Sequence, residues 1–360
     1  METITVELNQ NSYNIYVGQH LAKNLASDLV DVDKIFVLTD AKINKSQPGY
    51  FEQALQSMEH KIHIIAPGES MKSFNSVAEI IEAMTLFAMT RKSLLIAFGG
   101  GVIGDLGGFC ASIYMRGIRY IQVPTTLLAQ IDSSVGGKTG INTEFGKNIV
   151  GSFYQPQAVY IDISLLRSLP AREYCSGLGE IIKYGLIEAW LLDYIINNYH
   201  EICECDLATM TFLISACCRI KAKIVSEDET ETGLRKILNI GHTFGHALEV
   251  ATGYKCYLHG EAVLLGMYYE TLLAKALRVI SDDYAEEIFA IIKRTKIDPS
   301  LTHLDCKMLP KLMLGDKKNS GGMISFILPI ARDRYLERQF PLIEIGEFCA
   351  NLSQGGGKSG

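Results

Sequence analysis

The chain has 360 residues, of which 48% are hydrophobic and 21% are charged, and its formal net charge is -6 at pH 7. This length suggests two domains, and the composition is ordinary for a globular protein with large cores. The mixed charges leave no basic footprint for nucleic acid, and no apolar run of about eighteen residues predicts a membrane span.

The N-terminus and the cysteines both indicate in which cellular compartment the protein resides. METITVELNQ has acids and no basic-then-apolar signal pattern, which predicts residence in the cytoplasm. The nine cysteines are odd in number, and none of them forms a CxxC motif. These features favour reduced thiols in a cytosolic enzyme over a disulfide framework.

The first half of the chain alternates short β-rich runs with helical patterns. TITVELN and YNIYVG, separated by the turn-forming QNS, predict an antiparallel hairpin. Further apolar runs predict strands at 34–40, 61–67, 93–101 and 119–125, and NSVAEIIEAMTLFAMT predicts a helix after the second of them. Strands that alternate with helices imply right-handed crossovers and a Rossmann-like, mostly parallel sheet.

The pattern changes after about residue 175. GLGEIIKYGLIEAWLLDYIINNY predicts one long helix, more helical segments follow, and only MISFILPI predicts a strand in this half. We therefore predict an α/β domain over residues 1–172 and a mainly α-helical domain over 173–350, with a cleft between them. The remaining residues, 351–360, read as a flexible tail.

A glycine-rich turn follows the third of these later strands. Within AFGGGVIGDLGGF, Gly99, Gly101 and Gly104 satisfy G-x-G-x-x-G, which lets backbone N–H groups approach a pyrophosphate. The acid expected about twenty residues later is missing, and Asp40 at another strand end is the alternative partner for a ribose. The motif leaves nucleotide binding and a merely tight turn equally open. Three charged residues near strand ends favour binding: Glu69, Lys72 and Asp105.

IDSSVGGKTGIN resembles the phosphate-binding loop of nucleotide hydrolases but fails its spacing. That loop needs a glycine five positions before the glycine that precedes the lysine. Counting back from Gly137 gives Asp132, an acid where the loop must turn around phosphate. We therefore expect Lys138 to bind a different anion.

Histidines and a glutamate suggest a metal site in the helical half. LNIGHTFGHALE places His242 and His246 four apart on one helix face, so one or both can reach a divalent metal. LHGE adds His259 and Glu261, and GLGEIIKYG adds Glu180. A single histidine near a helix end is more typical of a cap or core residue, but the clustering favours a metal. HxxxH without the glutamate of HExxH argues against a metalloprotease.

Basic and amide residues beside glycines, acids or other motifs complete the candidate groups. They are Arg116, Lys138, Lys147, Asn148, Lys183, Lys221, Arg235, Asn239, Lys317 and Lys318. Taken singly, each is typical of a solvated surface group. Arg116 and Lys138 depart from this because they lie near predicted strand ends and glycine turns.

Six motifs occur in order and together resemble the 3-dehydroquinate synthase family of the sugar-phosphate cyclase superfamily. They are FGGGVIGDLGGF, VPTTLLAQIDSSVGGKTGIN, GLGEIIKYG, LNIGHTFGHALE, LHGEAV and GDKK. The resemblance covers residues 1–350. It implies an NAD-binding α/β domain and a metal- and substrate-binding helical domain around a deep cleft, in a cytoplasmic homodimer.

The resemblance implies a phosphate-eliminating carbon–oxygen lyase that depends on NAD and a divalent metal. The expected reaction converts 3-deoxy-D-arabino-heptulosonate 7-phosphate (DAHP) to 3-dehydroquinate and phosphate, the second step of the shikimate pathway to chorismate and the aromatic amino acids. Transient oxidation, β-elimination, reduction and an intramolecular aldol closure follow one another, and NAD is regenerated. The metal would acidify vicinal hydroxyls and polarise the ketone.

The resemblance also assigns residues. Zn2+, replaceable by Co2+, would be held by Glu180, His242 and His259. Catalytic roles fall on Lys138, Lys183, Glu231, Asn239 and His246, the last of these facing the substrate. Substrate groups would meet Arg116 across a dimer interface, Asp132, Lys138, Asn148, Lys221, Arg235, Lys317 and Lys318. NAD would meet Asp40, Glu69, Lys72, Gly101, Val102, Ile103, Gly104, Asp105, Thr125, Thr126, Lys138, Lys147, Leu165, Leu166, Arg167 and Ser168. The family often has Lys-Thr where this chain has Arg167 and Ser168, so backbone groups would serve there.

Three alternatives remain open. A metal-dependent polyol or glycerol-type dehydrogenase would release NADH and need no phosphate pocket. Another sugar-phosphate cyclase, such as 2-deoxy-scyllo-inosose synthase, would share most steps. A nucleotide-binding scaffold would have kept the fold without catalysis. The basic cluster of Lys138, Lys147, Asn148 and GDKK favours the synthase.

Overall fold

The computed structural model describes residues 1–301, 304–314 and 322–355. The strands are β1 (Glu2–Val6), β2 (Tyr13–Gly18), β3 (Ile35–Asp40), β4 (His60–Ile65), β5 (Leu94–Gly99), β6 (Arg119–Pro124), β7 (Lys138–Thr143), β8 (Gly146–Phe153), β9 (Ala158–Asp162), β10 (Met323–Ala331) and β11 (Arg334–Pro341). The α-helices are α1 (Ala41–Ser46), α2 (Glu52–Leu55), α3 (Phe74–Leu86), α4 (Gly101–Ile113), α5 (Ala171–Ile187), α6 (Ala189–Asn197), α7 (Tyr199–Cys203), α8 (Leu207–Glu227), α9 (His242–Ala251), α10 (His259–Ala276), α11 (Asp282–Arg294), α12 (Leu309–Leu314) and α13 (Leu342–Gly355).

The chain folds as two compact units. The first comprises Met1–Pro170 and His200–Thr232, and the second comprises Ala171–Tyr199 and the residues from Gly233 onward. Within the described ranges, none of the helices has the length and apolar character needed to cross a membrane. None of the nine cysteines, all of them within these ranges, forms a disulfide.

The first unit contains a seven-stranded sheet in the order β1-β2-β9-β6-β5-β3-β4. β1 pairs antiparallel with β2, and every other pairing in this sheet is parallel. The predicted hairpin and the four later predicted strands are confirmed. β9, which the sequence analysis missed, lies between β2 and β6 in the sheet.

Both faces of this sheet are covered, as a parallel sheet requires. Phe36 and Leu38 pack in a core cluster that includes residues of α3 and α4. Ile35 and Val37, which alternate with them along β3, pack in a second cluster that includes Leu55 of α2. Because burial of each large apolar side chain contributes about 1.5–3 kcal/mol, these two clusters determine the register of β3.

Helix α8 belongs to a different unit from the one that the sequence predicted. The sequence analysis placed residues 200–232 in the helical domain, whereas the structure groups them with the sheet. α8 packs against β1 and β2, and Ser226 Oγ accepts a hydrogen bond of 3.1 Å from the backbone N–H of Glu7. A helical pattern alone does not identify the partner of its apolar face, so the sequence could not show that residues 200–232 pack with the sheet.

The second unit is mainly helical, as predicted, but three details differ. The predicted long helix breaks into α5 and α6 at Glu188, whose φ of -130° and ψ of 105° are extended. The predicted strand MISFILPI is β10, and it pairs with β11, which was missed because its sequence is largely charged and exposed. α13 continues through Gly355, beyond the start of the predicted tail.

Helices α5, α9 and α10 approach each other at glycines. A Cβ added at Gly260 of α10 would lie 1.7 Å from the carbonyl oxygen of Ser176 in α5. A Cβ at Gly266 of α10 would lie 1.8 Å from the carbonyl oxygen of Gly241, the N-cap of α9. These distances are far inside van der Waals contact, so backbone packs directly on backbone at both crossings.

Gly260→Ala tests the closer of these crossings. The added methyl group must push α10 away from α5, and we expect a loss of about 3 kcal/mol or more in the free energy of unfolding. Urea denaturation would show this as a lower midpoint at an unchanged m-value. Gly346→Ala in α13 is the control, because no atom lies within 4 Å of its added Cβ. Equal midpoints for the two variants would contradict direct helix contact at Gly260.

Candidate functional site

All of the predicted cofactor residues of the first unit except Lys138 and Lys147 lie at or after the carboxyl ends of five parallel strands. Asp40 ends β3, Glu69 and Lys72 follow β4, the turn 101–105 follows β5, Thr125 and Thr126 follow β6, and residues 165–168 lie in the 3-10 helix Ile163–Ser168 after β9. Carboxyl ends of parallel strands meet at one edge of a sheet, where such sheets bind ligands. The structure therefore brings these residues to a single edge.

The glycine turn has the strand–turn–helix context that its motif requires. β5 ends at Gly99 and α4, a helix of 13 residues, begins at Gly101. Among the residues that the structure describes, no side chain caps this helix at Gly100. The first N–H groups of α4 can therefore face an anion such as a pyrophosphate.

Several of the predicted cofactor residues also have structural roles. Asp40 Oδ1 caps α1 by accepting hydrogen bonds of 2.8 and 3.0 Å from the backbone N–H groups of Lys42 and Ile43. Ser168 Oγ accepts a hydrogen bond of 2.8 Å from Gln47 Nε2, and Arg167 is exposed. Three members of the set have apolar side chains buried in the core, so only their backbone could reach a ligand: Ile103, Leu165 and Leu166. Thr125 is also buried, and within the described residues its Oγ1 has no hydrogen-bond partner.

Lys72 links two predicted cofactor residues to a predicted substrate residue. Its side chain is 4% exposed, and its Nζ lies 2.6 Å from Asp105 Oδ2. The same Nζ donates to Asn148 Oδ1. Burial raises the pKa of Asp105, while the charge of Lys72 acts in the opposite direction. The Asp105 side chain is 19% exposed, and a partly buried carboxylate beside a buried ammonium is typical of a functional site.

Asn142 belongs to this network and was missed by the sequence analysis. Its Nδ2 donates to Glu69 Oε1 at 2.8 Å, and its Oδ1 accepts from the backbone N–H of Asn148 at 3.0 Å. Its own N–H donates to the Lys72 carbonyl at 2.8 Å. Asn142 lies inside the IDSSVGGKTGIN motif, but its position between two site residues depends on the β7–β8 hairpin, which was not predicted.

Two lysines of the first unit contact acids of the same unit. Lys221 of α8 lies 2.9 Å from Asp132 Oδ1 and donates to the Asp132 carbonyl at 2.7 Å. Lys138, the first residue of β7, pairs with Glu231. The segment before β7 forms a single π-helical turn that carries Asp132, so this is not a phosphate loop of the nucleotide-hydrolase type.

Two further predicted basic residues of the first unit are Arg116 and Lys147. Arg116 is exposed and has a φ of 67° at the turn after α4. Lys147 is partly buried on β8. Lys317 and Lys318, the lysines of GDKK, lie outside the described residues.

The second unit brings together Glu180 of α5, His242 of α9 and His259 of α10. Nε2 of His242 lies 3.6 Å from Glu180 Oε1, and Nε2 of His259 lies 3.4 Å from the same oxygen. The three ligand atoms lie within 4.8 Å of one another. Glu180 is fully buried, and its other oxygen, Oε2, pairs with Lys183.

The second nitrogen of each imidazole has a hydrogen-bond acceptor. His242 Nδ1 donates to the Ile240 carbonyl at 3.1 Å, and His259 Nδ1 donates to Glu249 Oε2 at 3.3 Å. Both Nε2 atoms therefore face Glu180. Burial lowers the pKa of His259, but the hydrogen bonds and charges of Glu180 and Glu249 outweigh it and raise the pKa to about 10. One carboxylate oxygen and two imidazole nitrogens fit a catalytic zinc site with an open position.

His246 and Glu261 lie outside the group formed by Glu180, His242 and His259. The His246 ring lies 5.3 Å from that of His242 and 6.0 Å from that of His259, in a second group with Glu249. Glu261 instead accepts hydrogen bonds of 2.8 and 2.7 Å from Arg172. The Arg172 pair joins the start of α5 to the start of α10.

The surface interpretation of the basic residues is wrong for three of them. Lys183 is 1% exposed, Lys221 is 5% exposed and Arg235 is 1% exposed. Arg235 and Asn239 lie in the 3-10 helix Leu234–Asn239, directly before α9. A buried lysine or arginine is rare unless it is paired or functional.

Two family models together match residues 62–319, which is most of the chain. The 3-dehydroquinate synthase N-terminal model matches residues 62–176, and the C-terminal model matches residues 177–319. A 3-dehydroquinate synthase from Alkaliphilus metalliredigens is 51% identical over 333 residues, which cover 91% of this chain and 93% of that protein. This chain belongs to the 3-dehydroquinate synthase family.

Solved structures show the same architecture. ValA, a 2-epi-5-epi-valiolone synthase from Streptomyces hygroscopicus solved with NAD+ and Zn2+, has a TM-score of 0.87 and 25% identity, covering 97% of this chain and 98% of that one. A 2-deoxy-scyllo-inosose synthase with carbaglucose-6-phosphate, NAD+ and Co2+ has a TM-score of 0.82 and 23% identity, covering 97% and 99%. The predicted fold class, an α/β domain and a mainly helical domain, is confirmed.

Lys72→Met tests the buried pair of the first unit. It leaves the Asp105 carboxylate without its buried cation, and we expect a loss of about 3 kcal/mol in the free energy of unfolding. Adding Asp105→Asn should recover part of this loss, because the buried charge is then gone. Urea denaturation of the wild type, both single variants and the double variant measures the coupling, with the exposed Lys92→Met as the control. Strictly additive effects would contradict a direct interaction.

Proposed function

We propose that this chain converts DAHP to 3-dehydroquinate and inorganic phosphate. The observation that supports this best is the convergence of Glu180, His242 and His259 in a chain of this family. These three residues would hold a zinc ion, or cobalt in its place, and the glycine turn at the start of α4 would hold the pyrophosphate of NAD. The chain would then be a phosphate-eliminating lyase that depends on both groups.

The two bound groups have separate tasks in this proposal. NAD supplies a hydride acceptor for the transient oxidation and a hydride donor for the later reduction. The metal supplies a Lewis acid that lowers the pKa of a substrate hydroxyl and polarises a carbonyl. Oxidation acidifies the neighbouring C–H, phosphate leaves by β-elimination with its own oxygen taking the proton, and the enol closes the ring in an aldol step.

The chain's own residues would bind the substrate and orient it. Basic side chains of the first unit would supply positive charge for a phosphate, and Asn148 would supply a hydrogen-bond donor. Lys183 and Arg235 add buried cations in the second unit. The proposed substrate contacts are Arg116, Asp132, Lys138, Asn148, Lys221, Arg235, Lys317 and Lys318, with Arg235 assigned to the carboxylate. Lys138, Lys183, Glu231, Asn239 and His246 are the proposed catalytic residues, which would hold or move protons at substrate oxygens.

The cofactor contacts and the assembly complete the proposal. NAD would meet the strand-end residues from Asp40 to Ser168 together with Lys138 and Lys147. The first unit would thus be the NAD-binding domain, and the second would bind metal and substrate. We also propose a homodimer in which the exposed Arg116 reaches the phosphate across the interface. The absence of disulfides among the nine cysteines, all of them described, fits a reducing cytoplasm.

One assay separates this function from its alternatives. The purified chain with Zn2+, a catalytic amount of NAD and DAHP should release phosphate and dehydroquinate in equal amounts, with no net NADH. NADH in proportion to product would favour a polyol dehydrogenase. Turnover of glucose 6-phosphate without turnover of DAHP would favour another cyclase, and the absence of any turnover would favour a scaffold. His259→Ala should abolish turnover and lower the zinc content, whereas the exposed His200→Ala should do neither.

A further inference from the structure

We propose that Glu249 positions His259 for metal binding, an inference that rests on the metal site of the proposed function. Glu249 was not among the predicted site residues. Its side chain is 4% exposed, and its Oε2 accepts the hydrogen bond from His259 Nδ1 at 3.3 Å. A carboxylate on the second nitrogen of a ligating histidine fixes the tautomer and the ring orientation, and makes the imidazole a stronger donor.

The packing around the side chain differs between His242 and His259. The His242 side chain is 10% exposed and the His259 side chain is 32% exposed, so packing restrains His259 less. His259 is also the first residue of α10, directly after an irregular segment. We therefore infer that the hydrogen bond to Glu249 supplies for His259 the orientation that packing and the hydrogen bond to the Ile240 carbonyl supply for His242.

Glu249 is itself held on a rigid element. It lies on α9 seven residues after His242, which is two helical turns and therefore the same face. Its backbone carbonyl accepts the N–H of Tyr254 at 2.8 Å and the Thr252 hydroxyl at 3.2 Å, so it also ties down the segment that leads to His259. One helix thus carries a metal ligand and the partner of another metal ligand.

Two variants separate the charge of Glu249 from its hydrogen bond. Glu249→Gln keeps an acceptor of the same size but removes the charge, whereas Glu249→Ala removes both. The zinc dissociation constant should rise about tenfold in the first variant and about 100-fold in the second, the range seen when such outer partners are lost. In the Co2+-loaded protein, the visible absorption bands should shift in the alanine variant and shift less in the glutamine variant.

The measurement is zinc competition with a chromophoric chelator, together with the Co2+ spectrum and far-UV circular dichroism. Glu287→Gln is the matched control, because Glu287 pairs with Arg332 in the same unit and belongs to neither candidate metal group; its zinc affinity should equal that of the wild type. Wild-type zinc affinity and spectrum in either Glu249 variant, with the fold retained, would overturn the positioning role. Failure of the wild type itself to bind zinc would instead refute the proposed metal site.

Discussion

The proposed metal-ligand cluster of Glu180, His242 and His259 depends on direct backbone contact between helices α5, α9 and α10. Each ligand is the immediate sequence neighbour of a glycine at these contacts: Glu180 follows Gly179, His242 follows Gly241 and His259 precedes Gly260. A Cβ at Gly179 would lie 2.2 Å from the Gly260 carbonyl oxygen. Helices normally pack about 8–10 Å apart because side chains separate them. Without those side chains, one short carboxylate can reach two imidazoles from different helices.

Buried charge is the second constraint, and it costs free energy unless it is compensated. Glu180 pairs with Lys183 while presenting its other oxygen to the histidines. In the first unit, the buried Lys72 and Lys221 pair with the partly buried Asp105 and Asp132. The fully buried Glu270 accepts a 2.6 Å hydrogen bond from Gly241 N–H at the start of α9, where the helix dipole favours an anion. Replacing such pairs with apolar residues is often neutral or stabilising, which points to function as the reason for keeping them.

Much of the fold and of the candidate site could be predicted from the sequence, because the strongest signals are local. Apolar runs predicted the core strands, and the glycine turn after β5 and the cluster of histidines pointed to the two candidate binding regions. Spacing could not decide between His242 and His246, since residues four apart share a helix face. In the structure, His242 Nδ1 donates to the Ile240 carbonyl and its Nε2 lies 3.6 Å from Glu180 Oε1. The association of α8 with the sheet and the role of Asn142 depend on contacts distant in sequence, which no local pattern encodes.

X-ray absorption at the zinc edge of the loaded protein tests the central claim most directly, namely that these helices converge to form a three-residue metal site. We predict a first shell of nitrogen and oxygen atoms at about 2.0–2.2 Å, with outer-shell scattering from two imidazole rings. Scattering from fewer than two imidazoles, or a sulfur neighbour at about 2.3 Å, would contradict it.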